Sequence, residues 1–220
     1  MNTKLFLLPL SVLTLLAFCA SSSRSQTVVT FDELNETGSG AFFSSKFQGY
    51  QGLTWNSILC NNAILFTNVA ASRNAPTNGL TGDYYGMVSS SNVVVLDLGG
   101  NSEIDSSGTN FNFLSAYLTG FLYSNLSIEV QGFNGTTLLY DQTVVASATN
   151  ATLFTFNYLD INRLVFISSG GLPAFGLADP EFNQSIMDNF TFEFVPEPSS
   201  FLLATAGALL LCPLLKRKRV

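Results

Sequence analysis

Short runs of β-favouring residues, separated by turn-forming residues, set the strongest limit on the fold of this chain. Runs rich in Val, Ile, Phe, Thr and Tyr alternate with clusters of Gly, Asn, Ser and Asp. They lie at residues 27–31, 52–55, 63–67, 85–89, 93–98, 111–118, 126–133, 137–145, 152–158, 163–168 and 187–194. Apolar residues occur at every second position in several runs, as at Leu126, Ile128 and Val130, which is typical of a strand with one buried face. The pattern predicts an all-β fold, an antiparallel two-sheet β-sandwich of the jelly-roll type.

One turn within this pattern has a specific signal. Asn134-Gly135 stands between two predicted strands, and this dipeptide is typical of a type I′ hairpin turn, in which both central residues need positive φ. We therefore expect a β-hairpin there, with Asn134 and Gly135 at its turn.

The first 26 residues have the composition of a secretory signal peptide. Lys4 precedes an apolar stretch at residues 5–20, and a run of small residues follows. The predicted domain organisation is a helical signal peptide at 1–26, a β-sandwich at 27–194 and a C-terminal segment at 195–220.

The C-terminal segment has three parts in a fixed order. Val195-Pro196-Glu197-Pro198 comes first, an uncharged apolar run at residues 201–215 follows, and the last part is basic, at Lys216, Arg217, Lys218 and Arg219. As a helix the apolar run would measure about 22 Å, less than the roughly 30 Å hydrocarbon layer of a bilayer. The basic end would stay on the cytoplasmic side. From the residues alone, this segment is a transmembrane helix that forms a weak anchor.

In this order of parts the segment resembles the PEP-CTERM sorting signal of Gram-negative bacteria. The resemblance covers residues 195–220 only. It implies export by the secretion machinery, transient anchoring in the inner membrane, and cleavage by an exosortase at Pro196-Glu197-Pro198. The mature protein would then lie at the cell surface or outside the cell, among extracellular polysaccharide and in biofilm.

The exported part is strongly acidic. Residues 27–195 contain three basic and fourteen acidic residues, a net charge of −11. Such a surface repels nucleic acid, so we expect no nucleic-acid partner. Cys60 is the one cysteine in these residues; an internal disulfide is therefore excluded, and the domain depends on its hydrophobic core.

The sequence contains no histidine. This excludes Ser-His-Asp and Cys-His catalysis and nearly all zinc sites. Two carboxylates are enough for glycoside hydrolysis, but nothing in the sequence selects a pair from the fourteen. We expect a protein without catalytic residues.

The body also resembles exported bacterial domains of the galactose-binding-like, carbohydrate-module type, in Phe31-Asp32 and in residues 50–55, 113–118 and 187–190. The resemblance implies that the first and last strands pair and that a structural calcium lies where they meet. We expect Val29 and Phe31 to meet Phe190 and Phe192 in the core.

Two places in the sequence have oxygen ligands that could hold calcium. The first is Asp188, which by strand parity points toward the core with Phe190, together with Glu33 just past the first strand. The second is the oxygen-rich stretch at residues 97–105. The alternative for both is a carboxylate that accepts hydrogen bonds from nearby backbone N–H groups.

Sugar binding needs exposed aromatic rings with polar groups beside them. The candidates are Trp55, Tyr84, Tyr85 and Tyr123, with burial in the core as the alternative for Trp55. Together these features favour an exported, non-catalytic surface or matrix protein that associates with extracellular polysaccharide. A carboxylate-based polysaccharide hydrolase or lyase, and a purely structural protein, are the alternatives.

Overall fold

Fourteen β-strands make up most of the described part of the computed structural model, which comprises residues 25–34, 41–42, 49–56, 58–62, 81–89, 91–96, 101–176 and 183–196. The strands are β1 (Thr27–Val29), β2 (Ala41–Phe42), β3 (Thr54–Asn56), β4 (Leu59–Asn62), β5 (Asn92–Leu96), β6 (Ser102–Asp105), β7 (Phe111–Gly120), β8 (Tyr123–Ser124), β9 (Leu126–Asn134), β10 (Thr137–Ala146), β11 (Thr152–Ile161), β12 (Arg163–Ser169), β13 (Leu172–Pro173) and β14 (Ser185–Phe194). A 3₁₀ turn at Tyr50–Gly52 and a short helix, α1 (Gly82–Gly86), are also present.

The strands form two antiparallel sheets and a small ribbon. The seven-stranded sheet has the order β11-β7-β14-β5-β4-β2, with β1 paired to β14. The five-stranded sheet has the order β10-β9-β12-β6-β3, and β8 with β13 makes the ribbon. The chain is therefore an antiparallel β-sandwich, as its sequence predicts.

Aromatic side chains fill the space between the two sheets. In the seven-stranded sheet, the rings of Phe113 and Phe190 stack with their centroids 4.9 Å apart. From the five-stranded sheet, Trp55 meets Phe190 edge-on at 5.3 Å and Phe166 meets Phe113 at 6.2 Å. All four side chains are at most 1% exposed. Residues 27–195 contain a single cysteine, so no internal disulfide is available to them. This packing is therefore the main source of the domain's stability.

The first and last described strands are neighbours, as predicted. β1 pairs antiparallel with β14, with Thr27 opposite Phe192 and Val29 opposite Phe190. Phe31 turns out of the strand with φ 62°, yet it is fully buried and meets the ring of Trp55 at 5.5 Å. The predicted pairing of the first and last strands is confirmed, and both Val29 and Phe31 are buried in the core.

Two local predictions are wrong. The hairpin between β9 and β10 exists, but Asn134 pairs with Thr137, so the turn residues are Gly135 and Thr136. Of these only Gly135 has positive φ, 59°, so the turn is not type I′. The predicted strand at 85–89 begins within α1, where a side chain at Gly82 or Gly86 would collide with Gly120 or Ile186. Close packing of α1 on the sheet therefore outweighs the β propensity of the tyrosines.

Gln26–Val195 form one compact unit. The predicted signal peptide, except for its last two residues, lies outside the described residues, as do the predicted strand at 63–67 and the apolar and basic parts of the C-terminal segment. None of the helices in the described ranges is long and apolar enough to span a membrane.

Candidate functional site

The outer side of the five-stranded sheet carries two rows of side chains that run straight across its strands. In the first row Asn56, Glu103, Val165, Gln131 and Asp141 lie opposite one another on β3, β6, β12, β9 and β10. In the second row the order is Thr54, Asp105, Arg163, Phe133 and Leu138. We call these ten residues the polar face, because seven of them are polar or charged.

Strand alternation explains why these residues share one side. Their sequence neighbours Trp55, Ile104, Leu164 and Val130 point between the sheets and are at most 1% exposed. Successive side chains of a strand point to opposite sides, so the neighbours of these core residues must face outward. The outward direction of these side chains therefore follows from the alternating sequence of β3, β6, β9 and β12.

Arg163 is at the centre of the polar face. Its Nη1 donates a hydrogen bond to Oε1 of Glu103 at 3.0 Å. Its guanidinium carbon lies 4.1 Å from the centroid of the Phe133 ring, which is within the range of a cation–π contact. These two contacts fix the guanidinium in one orientation, with the Arg163 and Glu103 side chains still about one-third exposed.

Asp105 has a different environment from Glu103. Burial raises the pKa of Asp105, and the negative charge of Glu103 adds to this, while Arg163 and the amide of Asn56 oppose it. The Asn56 Nδ2 donates to Oδ2 of Asp105 at 3.0 Å. The polar face thus combines amide and guanidinium donors with carboxylate acceptors and one aromatic ring, groups that can bind the hydroxyls and the apolar ring face of a sugar.

The aromatic residues predicted to bind sugar do not lie on the polar face. Trp55 is 1% exposed and its indole N–H donates to the carbonyl of Tyr50 at 3.0 Å. Tyr123 is 7% exposed. Neither ring is available to a ligand in this structure, and for Trp55 the alternative of core burial is confirmed.

Tyr84 and Tyr85 lie on α1. Tyr84 is 40% exposed, and the two rings meet edge-on at 5.6 Å. Tyr85 stacks in parallel on Phe175 at 5.9 Å. Of the four predicted aromatic residues, Tyr84 is therefore the one with substantial exposure. It lies on α1, which packs against β7 and β14 of the seven-stranded sheet, whereas the polar face belongs to the five-stranded sheet.

The two carboxylates predicted to share a calcium ion have separate partners. Glu33 accepts hydrogen bonds from the Tyr50 hydroxyl and, at 3.1 Å, from the Gln51 amide. Burial acts to raise the pKa of Glu33, but these bonds and one from its own backbone N–H hold that pKa below its usual value. No group of three or more Asp, Glu, Cys or His side chains suited to a metal ion occurs among the described residues.

Asp188 accepts hydrogen bonds from the loop after α1. The backbone N–H groups of Val88, Ser89 and Asn189 donate to its carboxylate at 2.8, 2.9 and 2.7 Å, and the Ser89 hydroxyl donates at 3.0 Å. Burial raises the pKa of Asp188, and these donors oppose the rise. The Asp188 carboxylate thus accepts hydrogen bonds from backbone N–H groups, which is the arrangement expected as the alternative to calcium binding. The calcium site stays a prediction.

The strand-parity argument for Asp188 is wrong. Pairing with β7 is regular as far as Asp188, so Ile186 and Asp188 share a side. Ile186 packs against α1, where a Cβ at Gly86 would lie 2.7 Å from it. An irregularity follows at Asn189, with φ 49°, and returns Phe190 to the core. Asp188 therefore faces α1 and its loop on the outer side of the sheet.

Val195, the first residue of the predicted sorting motif, lies at the end of the sandwich. The backbone N–H of Val195 donates to the carbonyl of Asn110 at 2.8 Å, and Pro196 is exposed. Glu197, Pro198 and the basic residues 216–219 lie outside the described residues.

Gln131, Asp141 and Arg163 were not among the predicted site residues. Glu103 and Asp105 were predicted only as part of the candidate calcium stretch at residues 97–105, not as sugar-binding residues. Alternation in residues 126–133 indicates which side of β9 is polar. Only the strand order, however, brings polar positions of β3, β6, β9, β10 and β12 into line.

Several solved structures are similar in fold. A DUF4465 family protein from Bacteroides caccae has 11% identity and a TM-score of 0.45, with 79% of this chain and 100% of that chain covered. A DUF4465 family protein from Bacteroides ovatus has 12% identity and a TM-score of 0.42, with 78% of this chain and 99% of that chain covered. TmCBM61, solved with beta-1,4-galactotriose, has 8% identity and a TM-score of 0.31, with 71% and 99% covered. No family model and no curated protein matches the sequence. At these values the similarities assign the chain neither a family nor a function.

Proposed function

We propose that this chain is an exported, non-catalytic protein of the cell surface or extracellular matrix that binds extracellular polysaccharide with its polar face. The observation that carries the proposal is the alignment of polar side chains across five strands in two rows. A partly exposed surface of this kind suits a long polymer, which can lie along it and bind at several points.

The charges of the polar face favour one class of polysaccharide. Glu103, Asp105 and Asp141 are acidic and Arg163 is basic, in an exported part with net charge −11. Anionic polymers are repelled by such a surface. We therefore expect neutral polysaccharide to bind more tightly than anionic polysaccharide, and the preference to weaken as salt screens the repulsion.

The same proposal includes the route of export. The predicted signal peptide and the PEP-CTERM-like segment support transfer by the secretion machinery, transient anchoring in the inner membrane and release by an exosortase. The body would be a β-sandwich of the jelly-roll, carbohydrate-module type, and a structural calcium at Glu33 and Asp188 remains part of the hypothesis.

A glycan array with the purified chain, with and without calcium, tests the binding. Gln131→Ala removes an amide from the middle of the first row, and the lost hydrogen bonds, at about 1 kcal/mol, correspond to roughly a fivefold weaker affinity. Thr155→Ala is the matched control, since Thr155 is exposed on β11 of the other sheet. Equal effects of the two variants, or no binding to any polysaccharide, would contradict the proposal.

A carboxylate-based polysaccharide hydrolase or lyase is the alternative. Glu103 and Asp105 are two residues apart on one side of β6, so their Cα atoms are about 7 Å apart, and burial raises the pKa of Asp105. Inverting glycosidases place two carboxyl groups about 6.5–9.5 Å apart. Release of reducing ends from a bound polysaccharide, abolished by Asp105→Asn, would establish this alternative.

A further inference from the structure

β10 is a long edge strand with an unpaired side. It is the end of the five-stranded sheet, and of its ten residues all but one are in register with β9. At the other end of that sheet, β3 has three residues. Among the described strands, none pairs with the outer side of β10. Unpaired N–H and C=O groups along a strand are a template for pairing with another strand.

The side chains of β10 do not protect this edge. Leu138, Leu139 and Val145 are 46%, 45% and 57% exposed. β10 contains no Lys and no Pro, and Asp141 is its one charged residue. Lysine, proline and clustered charge are the usual means by which proteins prevent edge pairing, so β10 has the features of a strand that is covered in the assembled protein.

The edge strand of the other sheet is different. β11 is also ten residues long, but its pairing shifts on both sides of Tyr158. Asn157 and Asp160 have positive φ, 53° and 58°. Such irregularities interrupt the regular spacing of N–H and C=O groups. β10 is regular from Tyr140 to Ala146, so of the two long edges it is the better template.

We propose that two copies of this chain associate through β10, which pairs antiparallel with β10 of the second copy around a two-fold axis at Gln142. The axis is perpendicular to the sheet, so opposed side chains lie on the same side. This inference goes beyond the proposed function and does not depend on it.

The residues of β10 select this register. With the axis at Asp141, two carboxylates would oppose each other, which is unfavourable. With the axis at Gln142, Asp141 opposes Thr143, a hydrogen-bond donor, and the exposed Val145 lies opposite the exposed Leu139, where the regular stretch of β10 ends. Each pair occurs twice because of the symmetry. With the axis at Thr143, Asp141 would oppose Val145, and its carboxylate would face an apolar side chain. The charge and apolar pattern of β10 is thus self-complementary around Gln142.

The second copy would continue the sheet. Two five-stranded sheets would become one of ten strands, and Asp141 and Leu138 would change from the margin of the polar face to its middle. A surface of twice the width could then contact a polymer at twice as many points.

Cysteine crosslinking of the full-length chain in mild detergent tests both the pairing and its register. Opposed residues of antiparallel strands have Cα atoms about 4.5–5.5 Å apart, within the range of a disulfide, about 4.4–6.8 Å. Gln142→Cys should therefore form a disulfide dimer, and so should the double variant Leu139→Cys/Val145→Cys. In this register residue 139 of one copy lies six positions, about 20 Å along a strand, from residue 139 of the other copy, and the same holds for residue 145. Neither Leu139→Cys alone nor Val145→Cys alone can therefore form a disulfide between the two copies.

We expect each of the two bridging variants to give at least about tenfold more dimer than either single variant, because pairing raises the effective concentration of the opposed thiols. Mass spectrometry of the linked peptides separates these bonds from any that involve Cys19, Cys60 or Cys212. A dimer yield for Gln142→Cys no higher than for Val145→Cys would overturn the proposal, as would linkage confined to the natural cysteines.

Discussion

Truncation of Phe190 is the most direct test of how the two sheets are held together. Its ring is fully buried and lies 4.9 Å from Phe113, 5.3 Å from Trp55 and 5.6 Å from Phe192, as measured between ring centroids. A buried aromatic side chain removes roughly 150–250 Å² from water, worth about 4–6 kcal/mol at about 25 cal/mol per Å² as an upper bound. Phe→Ala changes in cores cost about 3–5 kcal/mol. We expect Phe190→Ala to lower the free energy of unfolding by about 4 kcal/mol.

Urea unfolding measures this change. Trp55, the single Trp of the chain, contacts Phe190 and reports by fluorescence, while far-ultraviolet circular dichroism follows the sheets independently. The expected loss corresponds to a melting temperature lower by about 8–16 °C for a domain of this size. Leu159→Ala is the control, since Leu159 is 50% exposed and surface changes usually stay within about 0.5 kcal/mol. A loss below about 1 kcal/mol for Phe190→Ala would refute this account of the core.

Three further predictions concern separate parts of the chain. Asp188→Asn should lower the melting temperature equally with and without calcium if the carboxylate serves to accept its N–H donors; a loss confined to calcium buffer would instead support the ion. Tyr158 donates a hydrogen bond to the carbonyl of Val130 at 2.8 Å, and burial, followed by the charge of Asp141, raises the pKa of Tyr158 to about 12. In the unfolded chain the hydroxyl of Tyr158 ionises near pH 10. The stability that the raised pKa of Tyr158 gives to the folded state is therefore complete below that pH and is lost as the pH rises to about 12. Unfolding curves at pH 9 to 12 should therefore show a smaller alkaline loss for Tyr158→Phe than for the wild type, and parallel curves would contradict this. Replacement of Pro196-Glu197-Pro198 by three alanines should leave uncut protein in the inner membrane, whereas peptides from residues 201–220 on the mature wild-type protein would exclude cleavage there.

The sandwich could be predicted because the alternation of apolar and polar residues along a strand depends on the sequence of that strand alone. Thus the runs that became β7, β9, β10, β11, β12 and β14 were predicted within a few residues of their bounds. The errors occur where a tertiary contact decides. α1 replaces a predicted strand because two glycines allow it to pack on β7 and β14, and the irregularity at Asn189 reverses the expected direction of Asp188.

The polar face could not be predicted in the same way. Its residues come from strands that are distant in sequence, and Glu103 meets Arg163 only because β6 and β12 pair. The residues predicted to bind sugar were aromatic, yet a Trp or Tyr in an apolar strand gains more free energy from burial than from exposure. Strand order, which no local pattern encodes, was the missing information.

The position of β14 has a consequence for the order in which the domain folds. This strand is the last one described, and it pairs with β7 on one side and with β5 and β1 on the other. The seven-stranded sheet therefore lacks its central strand until residue 194 is available. The strand that pairs with β1 lies about 160 positions later in the chain. Contacts of such long sequence separation form slowly. A chain that is made from its N-terminus therefore cannot complete the seven-stranded sheet before its final strand arrives.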